Sequence, residues 1–378
     1  MIASRPTVRP RLLILGTGSI AAKHAAEFTA LADCEIVAAA DTVPDRAASY
    51  AAKFGIGHSF GDLDAALAWG GFDAAVNATP DPVHFPTTMK LLAAGKHVLC
   101  EKPLAVNHTD AFVMADAAER AGVMNMVNLT YRNSRALQAA RAMIAGGEIG
   151  AVRHVEASYL QSWLTAAHWG DWRTDERWLW RLSSAHGSGG VLGDVGIHIV
   201  DFTTYGVGHD MVEVSARLKV FDKAPGGRIG PYLMDVNDSV TMNVGFANGA
   251  LGVVHMSRLA TGHANDLNLT IHGASGAVRI WSDSGDSTLD VCVGSDIQTQ
   301  TWRRVTCAAV PGNAARFVAA LRSGVNGEPD FRRAAEMQRI LDLCVESDAS
   351  GRRLGVSSSE VGSRGITRPC ESRDRTKT

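Results

Sequence analysis

The chain has 378 residues, too many for one small core and suited to two domains. Its hydrophobic content of 46% is that of a well-packed globular protein, and a formal net charge of -2 gives no electrostatic case for nucleic acid or an anionic membrane as partner. The 6 cysteines are scattered without a C-x-x-C pair, so neither a disulfide framework nor a zinc site is suggested and a reducing cytoplasm is expected.

The N-terminal arginines precede an apolar run too short for a signal-peptide core, and no run is long enough to span a membrane. That run, Leu12 to Leu15, suits a strand buried on both faces of a parallel sheet. It stops at Gly16, and Gly16, Gly18 and Ala21 fill a G-x-G-x-x-A pattern. The first glycine allows a tight turn and the second lets a pyrophosphate approach the backbone. The start of the following helix offers unpaired N–H groups and the positive end of its dipole to the phosphates. A second apolar run, Ile36 to Ala40, ends in Asp41, where a carboxylate would bind ribose hydroxyls and repel a 2′-phosphate. NAD is therefore expected over NADP, with Arg46 the nearest positive charge in sequence. The plain alternative is that Asp41 only caps the next helix.

Helices are predicted near Asp45 to Lys53 and Leu63 to Ala68, followed by a strand from Ala74 to Ala78 that ends at Thr79-Pro80. A helix from His84 to Ala94 stops at Gly95. The strand His97 to Cys100 then delivers Glu101-Lys102-Pro103 to the same edge of the sheet. A helix from Thr109 to Ala121 and a strand from Met124 to Leu129 complete an alternation that implies parallel pairing with right-handed crossovers.

Four stretches together, GTGSIA at the first turn, ATPDPVH from Ala78 to His84, EKP, and GGVLGDVGIHIVD from Gly189 to Asp201, carry a family likeness. From Arg11 to about Val356 the chain resembles the glucose-fructose oxidoreductase, inositol dehydrogenase and MocA (Gfo/Idh/MocA) oxidoreductases. The resemblance implies an α/β Rossmann domain over residues 1–131 and an α+β domain with a large, mostly antiparallel open sheet over residues 132–356. It also implies hydride transfer between NAD(P) and a carbinol of a sugar or cyclitol, and a homodimer or homotetramer formed through the open sheet. By the same resemblance Lys102, Asp194 and His198 take the catalytic positions. The candidates for holding the dinucleotide are Gly16, Gly18, Ser19, Ile20, Asp41, Thr79, Pro80, His84, Glu101 and Lys102.

Alcohol oxidation needs the hydroxyl proton removed as hydride leaves, which suits a histidine, and a lysine that stabilises the developing alkoxide. Taken alone, Lys102 reads equally as a solvated lysine after a strand. Asp194 and His198 sit four apart and would share one face of a helix; Asp194 as a helix cap and His198 as a core histidine is the plain alternative. A catalytic zinc needs three protein ligands, and no third stands nearby at diagnostic spacing.

Between the domains lies a segment dense in rings and hydrogen-bonding groups: Tyr131 and Arg132, then Trp163, His168, Trp169, Trp172, Arg173, Trp178, Trp180, Arg181 and His186. Aromatic faces with such donors suit a small polyhydroxylated ring. Tyr131, Arg132, Trp163, His168, Trp180 and Arg181, with Asp194 and His198, are the candidates for lining its pocket. A lid or subunit contact is the alternative for any one of them.

Further strands are predicted at Val152 to Tyr159, Val212 to Phe221, Ser239 to Phe246, Ala250 to Ser257, Leu267 to His272 and Ala277 to Trp281, with hairpin turns such as Ala247-Asn248-Gly249. Late helices near Asn313 to Arg322 and Phe331 to Ser347 are expected at the domain junction, and residues 357–378 as a disordered tail. The expected reaction is oxidation of a ring secondary hydroxyl of a sugar, anhydrosugar or cyclitol to a ketone. Glycoside cleavage by transient oxidation and a non-catalytic dinucleotide-binding regulator are the competing readings.

Overall fold

The computed structural model describes residues 9–283 and 285–356, so the expected tail lies outside the described residues. Six short strands form the first sheet: β1 (Arg11–Leu15), β2 (Glu35–Ala40), β3 (His58–Phe60), β4 (Ala74–Asn77), β5 (His97–Cys100) and β6 (Asn125–Val127). They are all parallel, in the order β3-β2-β1-β4-β5-β6, the doubly wound arrangement whose ligands bind outside the carboxyl ends of the strands. The helices α1 (Ser19–Thr29), α2 (Pro44–Phe54), α3 (Leu63–Trp69), α4 (His84–Ala93) and α5 (His108–Ala121) make the crossovers. Leu12 and Ile14 point into one layer with Ala21, Ala25 and Phe28, and Leu13 and Leu15 into the other; none of these residues is more than 4% exposed.

After a short helix α6 (Arg135–Ala145) the second sheet begins with β7 (Val152–Gln161). The chain then winds through α7 (Glu176–Leu179), a widened π-helical turn at Leu192–Gly196, and α8 (Ile197–Val207). The remaining strands are β8 (Met211–Lys219), a small hairpin of β9 (Arg228–Ile229) and β10 (Tyr232–Leu233), β11 (Ser239–Phe246), β12 (Leu251–Ser257), β13 (Asn265–Gly273), β14 (Gly276–Ser282) and β15 (Ser287–Val293). Beyond α9 (Asp296–Thr299), β16 (Arg303–Val305) and β17 (Leu354–Gly355) form the two edges of a nine-stranded sheet, ordered β16-β15-β14-β13-β7-β12-β11-β8-β17. Only β7 and β12 pair in parallel; the other neighbours are antiparallel. Helices α6, α8 and α11 (Phe331–Ser350) cover one face. Along β12, buried Gly252, Val254 and Met256 alternate with exposed Leu251, Val253 and His255, the period-2 signature of a sheet covered on one side.

The late helices tie the two sheets together. Helix α10 (Asn313–Ser323) lays Ala314, Phe317 and Val318 into the core on the α1 side of the first sheet, and α11 packs between α5 and β8. The loops after β4 and β5 therefore face the π-helical turn across a fixed junction.

Nine elements lie outside the sequence reading: β3, α6, α7, β9, β10, β15, α9, β16 and β17. In β15 the buried residues Ser287, Leu289 and Val291 do alternate, but one of them is a serine and Thr288 and Asp290 lie between them, which dilutes the hydrophobic signal. Helix α6 is capped by Ser134, whose Oγ accepts from Leu137 N at 3.3 Å, and it buries only Ala136, Leu137 and Ala140.

Candidate active site

The dinucleotide edge is built by backbone geometry. Gly16 leaves β1 at φ +83°, and a Cβ there would stand 2.8 Å from the Ala78 carbonyl, so both the turn and the close approach of β4 require glycine. Gly18 is different: its φ is -73°, and a Cβ would meet nothing within 4 Å. Its missing side chain opens space toward solvent at the start of α1, whose N-cap position makes no side-chain cap bond. Ser19 and Ile20, in that first turn, are exposed at the same opening. This is the shape and polarity a pyrophosphate needs. Asp41 closes the other end. Its Oδ2 accepts from Thr17 N at 2.9 Å and Thr17 Oγ1 at 2.8 Å, and its Oδ1 accepts from Val43 N at 3.0 Å, with Arg46 3.7 Å away. Burial raises its pKa, but these donors outweigh that and hold it below the usual carboxylate value. Asp41 is thus a fixed negative charge that tethers the glycine loop; it does not cap α2, whose N-cap is Val43 with no side-chain cap bond. The residues present fit NAD.

Two of the expected cofactor residues are buried among protein partners. Glu101 is 8% exposed and turned inward: Oε1 accepts from His24 Nε2 and Asn128 Nδ2, each at 2.7 Å, and Oε2 accepts from Lys102 N at 3.2 Å. Despite burial, these bonds push its pKa down to about 2, so it is an anionic brace beneath the loop. His84 is wholly buried, with both ring nitrogens directed at backbone carbonyls. Thr79 is held by its own loop, through Oγ1 donating to Asn77 Oδ1 at 2.7 Å, beside the partly exposed Pro80.

Lys102, Asp194 and His198 come together at one cavity of about 200 Å³, although 92 residues separate Lys102 from Asp194. Lys102 Nζ donates to Asp194 O at 3.1 Å and Oδ1 at 3.3 Å. Arg181 Nη1 reaches the same Oδ1 at 3.1 Å, and Arg258 Nη2 reaches Oδ2 at 3.0 Å. Burial opposes ionisation of Asp194, but three cations around it hold its carboxyl well below the ordinary range. The expected shared helix face is replaced by something wider: Asp194 lies in the π-helical turn and His198 at the start of α8. Such turns recur at functional sites. His198 is 7% exposed and packs edge-on against Tyr131 at 5.1 Å. Its Nδ1 has no hydrogen-bond partner among the described residues, and burial together with Lys102 pushes its pKa down to about 3. It is a neutral imidazole at pH 7.

The same cavity is lined by Trp163 and Arg181 from the expected set, and by Tyr159, Gln161, Trp169 and Trp178. Tyr131 stands behind, hydrogen-bonded through its hydroxyl to Tyr159 at 2.7 Å. Three expected lining residues are corrected. Arg132 is 2% exposed and spends its guanidinium on Asp201, with Nε and Nη2 each donating at 2.7 Å, so it is a junction strut. Trp180 backs the Arg181 guanidinium at 4.7 Å, and exposed His168 sits against Trp169 at 4.8 Å on its outer side. Arg258, like Tyr159 and Gln161, is a site residue that sequence reasoning missed. It is fully buried and lies over Trp163 at 5.1 Å.

Residues 11–129 match the model of an oxidoreductase family with an NAD-binding Rossmann fold, and residues 137–279 match the GFO/IDH/MocA C-terminal domain. The chain belongs to the Gfo/Idh/MocA oxidoreductase family. Levoglucosan dehydrogenase of Pseudarthrobacter phenanthrenivorans is 30% identical over 273 residues, covering 68% of this chain and 67% of that protein. The 1,5-anhydro-D-fructose reductase of Ensifer adhaerens is 31% identical over 268 residues, 70% and 74% of the two chains. A solved levoglucosan dehydrogenase in complex with NADH and levoglucosan superposes with a TM-score of 0.81 at 26% identity, covering 92% of this chain and 99% of that one. As a Gfo/Idh/MocA member, this protein is an NAD-dependent oxidoreductase acting on CH–OH groups, of the sugar and cyclitol dehydrogenase kind. Among the described residues no helix is long and apolar enough to cross a membrane.

Proposed function

We propose that this protein oxidises a ring secondary hydroxyl of a sugar, anhydrosugar or cyclitol to a ketone. The observation that carries the reading is the convergence of Lys102, Asp194 and His198 on a cavity walled by tryptophans, beside the edge where NAD fits. Relatives named for levoglucosan and 1,5-anhydro-D-fructose support a cyclic polyol as the occupant.

Bound NAD supplies the hydride acceptor. His198, neutral and buried, accepts the substrate's hydroxyl proton as the hydride departs from the same carbon; the carbon–oxygen bond becomes a carbonyl and the charges balance. Lys102 donates a hydrogen bond to the oxygen while negative charge develops on it. Asp194 orients Lys102 and, remaining ionised, offsets the charge of the protonated His198. Tyr159 and Tyr131 hold the His198 ring in place. Trp178 packs between Trp163, tilted at 5.2 Å, and Trp169, stacked at 5.8 Å, and the three rings give the sugar's C–H face an apolar wall.

The exposed Leu251 and Val253 of the second sheet support a homo-oligomer built on that face, and the five described cysteines, all free thiols, support a cytoplasmic setting. The test of the central reading is NADH formation with a panel of cyclitols, aldoses and anhydrosugars, their deoxy analogues, and simple alcohols. Cyclic polyols should be oxidised best, and each deoxy analogue should lose roughly 1 to 3 kcal/mol of transition-state stabilisation through an unpaired polar group. Better turnover of hydrophobic alcohols or aromatic diols would overturn the carbohydrate assignment.

A further inference from the structure

His84 opens α4 and has no exposed surface. Its Nδ1 lies 2.7 Å from the carbonyl oxygen of Pro103, and its Nε2 lies 2.8 Å from that of Thr79. A carbonyl oxygen accepts and cannot donate, so both ring nitrogens have to carry hydrogen, and only the imidazolium does so. The two carbonyls belong to different loops. Thr79 follows β4, on the edge where a doubly wound sheet receives its dinucleotide, and Pro103 follows Lys102 directly.

We propose that His84 is a positioning residue which, as an imidazolium, ties the loop after β4 to the loop after β5 and so sets the NAD site against Lys102.

The charge sits where simple electrostatics would not choose it, at the positive end of a helix and out of water. Burial lowers the pKa of such a ring. Here the Cys100 sulfur on β5, the Pro103 carbonyl and the Asp81 carboxylate outweigh burial and push it up to about 10. Asp81 comes from the turn before α4, and its other side faces Lys102, Arg181 and Asp194. The ring therefore joins the cofactor loop to the same charge cluster that holds Lys102. Because its folded value lies above the ordinary 6.5, the tie is complete below neutral pH and throughout the neutral range, and is lost as pH rises through about 10.

Asparagine places its amide nitrogen near the position of Nδ1, and glutamine near that of Nε2. His84→Asn should keep the Pro103 bond alone, and His84→Gln the Thr79 bond alone. Each variant should weaken NAD binding by about 10-fold or more, the usual consequence of losing one hydrogen bond to a charged group. Tryptophan fluorescence titrations with NAD should show wild-type affinity falling above about pH 10, with no such limb in either variant. Wild-type affinity and an unchanged pH profile in both variants would overturn the proposal. A second measurement needs no variant: nitrogen-15 NMR of the wild-type His84 ring at pH 7.5 should find both nitrogens protonated. A neutral tautomer there would overturn the proposal even if the variants fail to fold.

Discussion

Neutralising Asp194 without changing its shape probes how the charge cluster is held. In Asp194→Asn, the carboxylate that faces Lys102, Arg181 and Arg258 is replaced by an amide that offers one acceptor oxygen. Lys102 and Arg181, with side chains 23% and 32% exposed, can turn toward water. Arg258, at 0%, cannot, so the cost falls on an uncompensated buried guanidinium. One-sided loss of a buried pair costs about 3–5 kcal/mol, and the residual amide acceptor argues for the lower end, about 3 kcal/mol. At about 2–4 °C per kcal/mol for a unit of 150–250 residues, the thermal midpoint should fall by ~6–12 °C. Differential scanning fluorimetry of Asp194→Asn and of the double variant Asp194→Asn/Arg258→Met measures it. The double variant should recover most of the loss, because removing both charges leaves none buried alone. A single variant as stable as wild type, or a double variant worse than the single, would refute the account of Asp194 as the anion that makes the cluster tolerable.

Lys102→Ala and His198→Ala should each lower kcat by about 10² or more while NAD affinity, read by fluorescence titration, stays close to wild type. Gly18→Ala should keep the wild-type melting temperature yet raise the KM for NAD, because a methyl there enters open space that the pyrophosphate needs, whereas Gly16→Ala should lower the melting temperature, because its methyl meets the Ala78 carbonyl. Acid should destabilise the protein in two stages. The unfolded chain protonates His198 below about pH 6.5 and the folded one only near 3, and Glu101 follows between 4.5 and about 2, so stability is lost as pH falls through both windows. Melting temperatures of wild type and His198→Asn from pH 7 to 5 should diverge, with the shallower slope in the variant.

The parts of this molecule that were legible in the sequence are those whose chemistry is local in the chain. Gly16, Gly18 and Asp41 stand at the ends of apolar runs, and the strand pairing that results puts them on one edge. Lys102, Asp194 and His198 were reached through motif resemblance, and the geometry that unites them was not: a π-helical turn has no spacing signature when an α-helix fits the same residues. Arg258 was missed because it is a lone arginine just past β12, and its partner lies 64 residues away. Arg132, Glu101 and His84 show the converse. Polar side chains near a ligand edge are read as facing the ligand, yet each has a buried partner that residue type cannot disclose: Asp201 for Arg132, His24 and Asn128 for Glu101, and two carbonyls for His84. Within the aromatic segment, residue density does not disclose which rings face the cavity; that follows from the irregular path between Trp163 and Arg181. Trp169 and Trp178 line the cavity while Trp180 stands behind Arg181.

The central claim is direct hydride transfer from a ring carbon of a cyclic polyol to NAD inside the cavity that Lys102, Asp194 and His198 share. A substrate deuterated at the reacting ring carbon, incubated with NAD and followed by mass spectrometry and NMR of both products, tests it most directly. The account predicts deuterium in the reduced cofactor and a ring ketone in equal amount, with the initial rate of both lowered by about 10² or more in Lys102→Ala and His198→Ala. Release of a free sugar without net reduced cofactor, or label transfer undiminished in those variants, would contradict it.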